Sequence, residues 1–378
     1  MSIPNYFQNS IKISSIIFKY FQIIFILNPL LLSASLPFGK LYVKNGKLMG
    51  EGGRWAQLRG MSLFHSQMVE GAGFYNAETV YKLKCNWHVN VVRACLGIMN
   101  YGNGGYFVHR ELEKAKVKAV IDAAIKYDIY VVVSFHYTGD TLYTREAFEY
   151  FKELSYEYKG RWNMIYEIYN EAIKNNWYTL KQYHESVIPA KIEGRQVKRR
   201  MSRAIRENDR DAVIICATPY YDQHISEAIK YPITNYYNIM YTLHFYASEL
   251  GVENLRKNVF YALELNFPLF VTEYGLTFGN GTGPVNKYET EKWWKMLDQF
   301  GVPYINWSIS NKRESSAALI PGSTSRNVDD YHYLTDSGSF VKEMLINKQP
   351  KPYGCSKWEE IVDDLISEIF PLNNTIDE

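Results

Sequence analysis

Eight short apolar runs rich in Val and Ile alternate along this chain with longer stretches of helical periodicity, and that alternation restricts the fold more than any other feature. The runs over 57–61, 89–94, 129–135, 164–170, 212–218, 240–245, 268–273 and 303–308 read as strands. Segments 77–85, 111–127, 144–158, 197–207, 250–265 and 287–300 read as helices between them, with 337–346 after the last strand. A strand–helix unit repeated eight times over roughly 250 residues plus insertions predicts an α/β chain folded as a (β/α)8 TIM barrel. A doubly wound sheet shares the alternation, but no glycine-rich phosphate loop follows any of the strands. With 378 residues, 47% of them hydrophobic, the chain can bury one large core. No Pro-, Ser- or Gly-rich linker divides it, so 36–350 is expected to be a single domain, and 351–378 a peripheral helix (358–369) with a tail.

Residues 1–35 differ from the rest. Lys12 and Lys19 flank or interrupt an apolar run whose last part, 21–32, is followed by Ser33, Ala34 and Ser35, the layout of a signal peptide. A membrane anchor is the competing reading, but Lys19 and Pro29 leave too short an apolar stretch for ~30 Å of hydrocarbon. A secreted, extracellular protein without stable membrane association after cleavage is expected. The formal charge of +2 arises from 42 basic and 40 acidic side chains scattered along the chain, with no cationic stripe for a phosphate backbone, so no nucleic-acid partner is expected. Cys85, Cys95, Cys216 and Cys355 show no CxxC pair and no His set at metal-ligand spacing, so no metal and no cofactor is assigned. Buried free thiols are the preferred reading of the cysteines, with a disulfide involving Cys355 left open.

In a barrel of this kind, functional groups collect where the strands end at the C-terminal mouth. The second candidate strand ends in Arg93, the third in His136, the fourth in Asn170 and Glu171, the sixth in His244 and Tyr246, the seventh in Glu273, and the eighth in Trp307. Two carboxyl groups on different strands are what cleavage of a glycosidic bond needs: one protonates the leaving oxygen while the other attacks or activates water. The 16% aromatic content supplies flat rings on which sugar faces stack. Each residue also has a structural reading. Asn170-Glu171 alone would more often cap a helix, His136 could be a core histidine, and Trp307 a core ring. Glu167 could compete for the acid role, but it lies four residues deeper in the same strand, where barrels hold structural hydrogen bonds.

The runs IYEIYNE (165–171), YTLHFYA (241–247), LFVTEYG (269–275) and INWSISNKRESSAAL (305–319), with LRGMSLF and VNVVRA, resemble glycoside hydrolase family 5 (cellulase family A) over about 37–348. Its subfamily 2 endo-β-1,4-glucanases are the nearest resemblance. That resemblance implies a glycoside hydrolase catalytic domain over 36–350, acting as a secreted, monomeric, retaining endo-β-1,4-glucanase on a β-1,4-linked polysaccharide. Glu171 corresponds to the acid/base and Glu273 to the nucleophile. Asn170 corresponds to the contact with the sugar 2-hydroxyl, Arg93 and Tyr246 to the groups that orient Glu273, and His136 and His244 to the lining beside the acid. Trp307 corresponds to a stacking ring reached through a cis Trp307–Ser308 peptide, and Lys312 and Glu314 to contacts with glucose hydroxyls. In the chain's departures, Ala172 stands where Pro is usual, His65 and Tyr221 where Trp is usual, and Ser134, Phe135 and Thr138 replace polar or aromatic neighbours. Tyr221 is still counted among the substrate-binding positions. These changes leave open a related hemicellulase acting on xyloglucan, xylan or mannan, or a carbohydrate-binding homologue of weak activity. The retaining mechanism predicts carboxyl groups roughly 5 to 5.5 Å apart. Arg93 is expected to lower the Glu273 pKa, while apolar walls and the partner charge raise that of Glu171.

Overall fold

The computed structural model describes residues 36–188 and 204–355. Eight parallel strands close into a barrel in chain order: β1 (Arg59–Leu63), β2 (Val91–Gly97), β3 (Tyr130–His136), β4 (Met164–Glu167), β5 (Val213–Cys216), β6 (Ile239–Tyr246), β7 (Leu269–Gly275) and β8 (Tyr304–Ile309). This is the expected (β/α)8 architecture. The longer outer helices among the described residues are α1 (Ala77–Trp87), α2 (Arg110–Lys126), α3 (Thr144–Glu157), α4 (Trp177–Val187), α5 (Val252–Glu264), α6 (Lys287–Phe300) and α7 (Asp336–Lys348). Among the described residues, no helix is long and apolar enough to cross a membrane. The expected leader (1–35), most of the expected 197–207 helix and the expected 358–369 helix lie outside the described residues.

Sequence reasoning named no helix at α4, whose buried face is Trp177, Leu180, Tyr183, His184 and Val187. Asn176 begins the helix by accepting a hydrogen bond from the Thr179 N–H, which supplies one of the partners a first turn lacks. The hairpin Tyr42–Lys44/Lys47–Met49 was also not anticipated. It closes the N-terminal floor: Leu41, Leu48, Ala56 and Leu58 pack against the inward residues Val91, Val132, Ile165, Ile215, Met240, Phe270 and Ile305. Alternate residues such as Val92, Val131, Tyr166 and Val271 face the helices, as the two-residue period of a strand requires. With the floor plugged, the inward polar side chains gather at the opposite mouth.

The cysteine reading needs correction at one position. Cys95 and Cys216 are buried and free, but Cys85 near the end of α1 is bonded to Cys355. A separation of 270 residues carries no spacing signal, and only the packing of α7 against α1 brings the two ends together. Replacing Cys355 with Ser is expected to cost about 2–4 kcal/mol, since the cross-link restricts the unfolded chain. Urea denaturation with and without reductant would measure it: the variant should match the reduced wild type, and equal midpoints for wild type under both conditions would refute a stabilising role.

Candidate active site

Arg93, fully buried on β2, is the hub of the mouth. Its Nε donates to Glu167 Oε2 at 2.7 Å, its Nη1 to Glu273 Oε2 at 2.9 Å, and its Nη2 to Asn170 Oδ1 at 2.6 Å. One planar guanidinium thus joins β2, β4, the segment after β4, and β7, which a lysine point charge could not do. Glu167 takes the structural place expected of it. The second oxygen of Glu273 accepts from Tyr246 Oη at 2.8 Å. Strand parity alone would turn Glu273 away, because Phe270 already faces inward. A register shift resolves this: Thr242 pairs with Phe270 but His244 with Glu273, so β7 holds one extra residue and both Thr272 and Glu273 face the barrel.

Glu171 follows Asn170 beyond β4. Its Oε2 accepts from Thr138 Oγ1 at 2.9 Å, and its Oε1 lies 2.9 Å from His244 Nδ1. The other imidazole nitrogen, Nε2, is 3.0 Å from Thr272 Oγ1, which also bonds Thr242 Oγ1. A carboxylate oxygen of Glu171, one of Glu273 and a nitrogen of His244 all lie within 4.8 Å of one another. Such a donor set could in principle grip a cation. Here, however, Glu171 and His244 already engage each other, and the Glu273 oxygens are taken by Arg93 and Tyr246. Each oxygen of the two carboxyl groups thus already has a hydrogen-bond partner.

The electrostatics reverse the expectation for both carboxyl groups: Glu273 is raised and Glu171 lowered. Burial raises the Glu273 carboxyl, and the Glu171 charge adds to this, so that His244, Arg93 and the Tyr246 hydroxyl do not bring it down to its ordinary value. Burial also raises Glu171, but the hydrogen bond and charge of His244, with Thr138 and Arg93, pull it below the ordinary range. The reason is His244, which sequence reasoning placed beside the acid without assigning it a charge. Burial disfavours its charged ring, yet Glu273, Asp222 and Glu171 outweigh that and hold it at about 9. The charges of Glu171, Glu273 and His244 thus set one another's titration, which favours a cationic His244 beside an anionic Glu171 near neutral pH.

Trp307 packs with Phe64, Cys95 and Tyr246 at the mouth, and the Trp307–Ser308 peptide is cis. His136 stacks on its indole, with centroids 5.3 Å apart and planes 7° apart, and no hydrogen bond links His136 to Glu171. His65 meets His136 edge-on at 4.5 Å. Lys312 and Glu314 form an ion pair at 2.5 Å, with the Lys312 ammonium over the Phe64 ring. Tyr221 is the outlying candidate: it is exposed on the loop after β5 and touches the site only through its N–H, which bonds Ala172 O at 2.8 Å. Thr138, Thr272 and Asp222 were not among the candidates. Their signal, a polar side chain within two residues of His136, next to Glu273, or within a loop that opens at a strand end, becomes readable only once the strand ends are known.

The histidines give a pH prediction for stability. Burial, aided by the charges of Arg93 and Lys312, holds His65 at about 3, and burial holds His184 at about 4 against its Ala217 carbonyl contact. Below the unfolded value of about 6.5, the unfolded chain binds protons that these rings refuse, so stability falls as the medium is acidified. His244 is opposite in sign: its contribution is fully present below about 6.5 and is lost as pH rises through about 9. Thermal unfolding is expected to peak near pH 6–7, and His244→Asn should flatten only the alkaline side. An unchanged alkaline slope in that variant would refute the assignment.

Residues 49–313 match the model of the family described as cellulase (glycosyl hydrolase family 5). The chain is 37% identical over 311 residues to Endoglucanase Z of Dickeya dadantii, covering 82% of this chain and 66% of that protein. It is 33% identical over 312 residues to an endoglucanase of Clostridium saccharobutylicum, covering 81% of this chain and 65% of that one. It therefore spans just under two thirds of the length of these curated relatives. Among solved structures, the catalytic domain of Thermobifida fusca endoglucanase Cel5A (E5) superposes with a TM-score of 0.71 at 27% identity, covering 82% of this chain and 97% of that one. A Cytophaga hutchinsonii structure gives 0.73 at 34% identity over 87% of this chain and 98% of that one. By the span of the family match and the identity to these relatives, this chain belongs to glycosyl hydrolase family 5, the cellulases.

Proposed function

We propose that the protein is a secreted, retaining endo-β-1,4-glucanase, with Glu273 as nucleophile and Glu171 as acid/base. The observation that carries this reading is the placement of the two carboxyl groups: their nearest oxygens lie within 4.8 Å, in keeping with the short spacing of roughly 5 to 5.5 Å at which one carboxylate attacks the sugar directly. Inverting enzymes need roughly 6.5–9.5 Å, with room for a water. Glu273, held by Arg93 and Tyr246, attacks the anomeric carbon while Glu171 protonates the departing oxygen. Water then displaces Glu273 with Glu171 as base. Asn170, fixed by Arg93, offers its amide to the 2-hydroxyl, where hydrogen bonding strengthens as charge develops in the ring. Trp307 supplies a face for the sugar beside the nucleophile, and Lys312 and Glu314 bind hydroxyl groups farther along. Secretion fits the Cys85–Cys355 bond, since structural disulfides persist in oxidising compartments.

The test is reducing-sugar release from carboxymethylcellulose beside xyloglucan, xylan and mannan, with the anomeric form of the first product followed by NMR. Fastest release from the β-1,4-glucan with the β-anomer appearing first is expected. A preferred hemicellulose would overturn the substrate, and an initial α-anomer the mechanism.

A further inference from the structure

Asp222 is fully buried, yet one of its carboxylate oxygens has no hydrogen bond. Oδ1 accepts from the Thr218 N–H at 2.6 Å, while Oδ2 faces His244 Nδ1 at 3.6 Å. That nitrogen is the one that lies 2.9 Å from Glu171 Oε1. A single imidazole nitrogen is thus set between two carboxyl groups, bonded to one and within easy reach of the other. The backbone that delivers Asp222 is strained: Tyr220, Tyr221 and Asp222 are three successive non-glycine residues with φ of 55°, 56° and 58°. Left-handed residues in series cost energy and persist where the surroundings enforce them, often at functional sites.

Resting on the acid/base reading of Glu171, we propose that Asp222 is a positioning residue that acts through His244, serving as the alternative acceptor for the Nδ1–H whenever Glu171 is itself protonated. During a double displacement Glu171 alternates between acid and anion. As an anion it accepts from His244 Nδ1 across the 2.9 Å contact. As an acid it aims its O–H at the glycosidic oxygen, and an imidazolium left without an adjacent anion in a buried site would be costly. A small rotation of the ring then turns the Nδ1–H to Asp222 Oδ2, and the ring stays cationic. No covalent bond is made or broken in this switch, and the proton remains on the nitrogen. His244 is faced also by Glu273 from β7 and by His136 from β3. Burial, with the charges of Glu171 and Glu167 from the β4 side, pushes the Asp222 carboxyl well above its ordinary range against the pull of the cationic ring and the Thr218 N–H, so Asp222 serves as the anion for this exchange while Glu171 is neutral and His244 charged, the state in which the switch uses it. Among the described residues, only Glu171 and Asp222 approach His244 Nδ1 closely enough to exchange its hydrogen bond. Asp222 thereby favours the protonated form of Glu171, so its loss should make the acid deprotonate at lower pH.

The experiment compares wild type with Asp222→Asn, which keeps an acceptor for the Thr218 N–H but no negative charge. The alkaline limb of kcat/KM on cello-oligosaccharides should move down by about one pH unit. On an aryl β-cellobioside with a good leaving group, kcat/KM should stay within a few-fold across the same range, because that first step needs no proton. An alkaline limb that stays in place in the folded variant, or equal losses on both substrates, would overturn the proposal. Independently of any variant, the ¹⁵N-labelled histidine signals of the wild type should show His244 doubly protonated to about pH 9, and titration near the ordinary value would also overturn it. Failure of the underlying acid/base reading is separable, because it would appear as wild type that hydrolyses neither substrate, or as Glu273→Gln that hydrolyses both.

Discussion

Glu273→Gln is expected to abolish glucan hydrolysis, with kcat lowered on the order of 10⁵-fold, while Glu171→Gln separates substrates by the quality of their leaving groups. The amide of the first variant fills the same space and can still accept from Arg93 or Tyr246, but it cannot form the glycosyl ester on which the second step depends. In the second variant the nucleophile remains. Departure of a glucose hydroxyl then loses its proton donor, a loss of roughly 10²–10⁴-fold in kcat/KM, whereas departure of an activated phenol needs none. Water attack still lacks its base, so on aryl cellobiosides a burst of phenol should precede a slow steady state as the glycosyl-enzyme accumulates. Stopped-flow release of the phenol, with mass spectrometry of the intact protein, would detect both. Equal losses on the two substrates would remove Glu171 from the acid role, and substantial turnover by the Glu273 variant would defeat the whole mechanism.

The barrel was legible because each of its strands is buried on both faces and therefore written as an apolar run, and because the intervening helices keep their own period. The site was legible to the extent that function resides at strand ends. Arg93, Asn170, Glu171, His244, Tyr246 and Glu273 converge through side-chain hydrogen bonds, as their places in the sequence suggested. What stayed hidden depends on three-dimensional details without a sequence period. The extra residue in β7 that turns Glu273 inward is a register shift, invisible until the pairing with β6 is known. The Cys85–Cys355 bond joins segments 270 residues apart. The charge of His244 follows from how many carboxyl groups surround it, and one of them, Asp222, arrives on a left-handed loop that resembles an ordinary turn in sequence.

Arg93→Met should destabilise the protein by about 3–5 kcal/mol near neutral pH, the usual result of removing one partner from a buried ion pair. The side chain is fully buried, and its loss leaves Glu167 and Glu273 facing the same space without a cation and Asn170 without a donor. Buried carboxylates in that position lower their cost by taking up protons. Glu273, already raised by burial, loses one of the groups that oppose the rise. A carboxyl whose folded pKa is raised contributes stability below its unfolded value and loses it as pH rises through the folded one, so the penalty should be greater at pH 8 than at pH 5. The same shift should move the acid limb of kcat/KM upward, since Glu273 is nucleophilic only as the anion. Arg93→Lys restores a charge but not the fork that reaches three partners, and should recover the acid limb more fully than the stability. Denaturant midpoints at the two pH values, read beside the activity profile, decide the matter. A variant as stable at pH 8 as the wild type would show that the guanidinium does not hold the carboxyl groups of the mouth together.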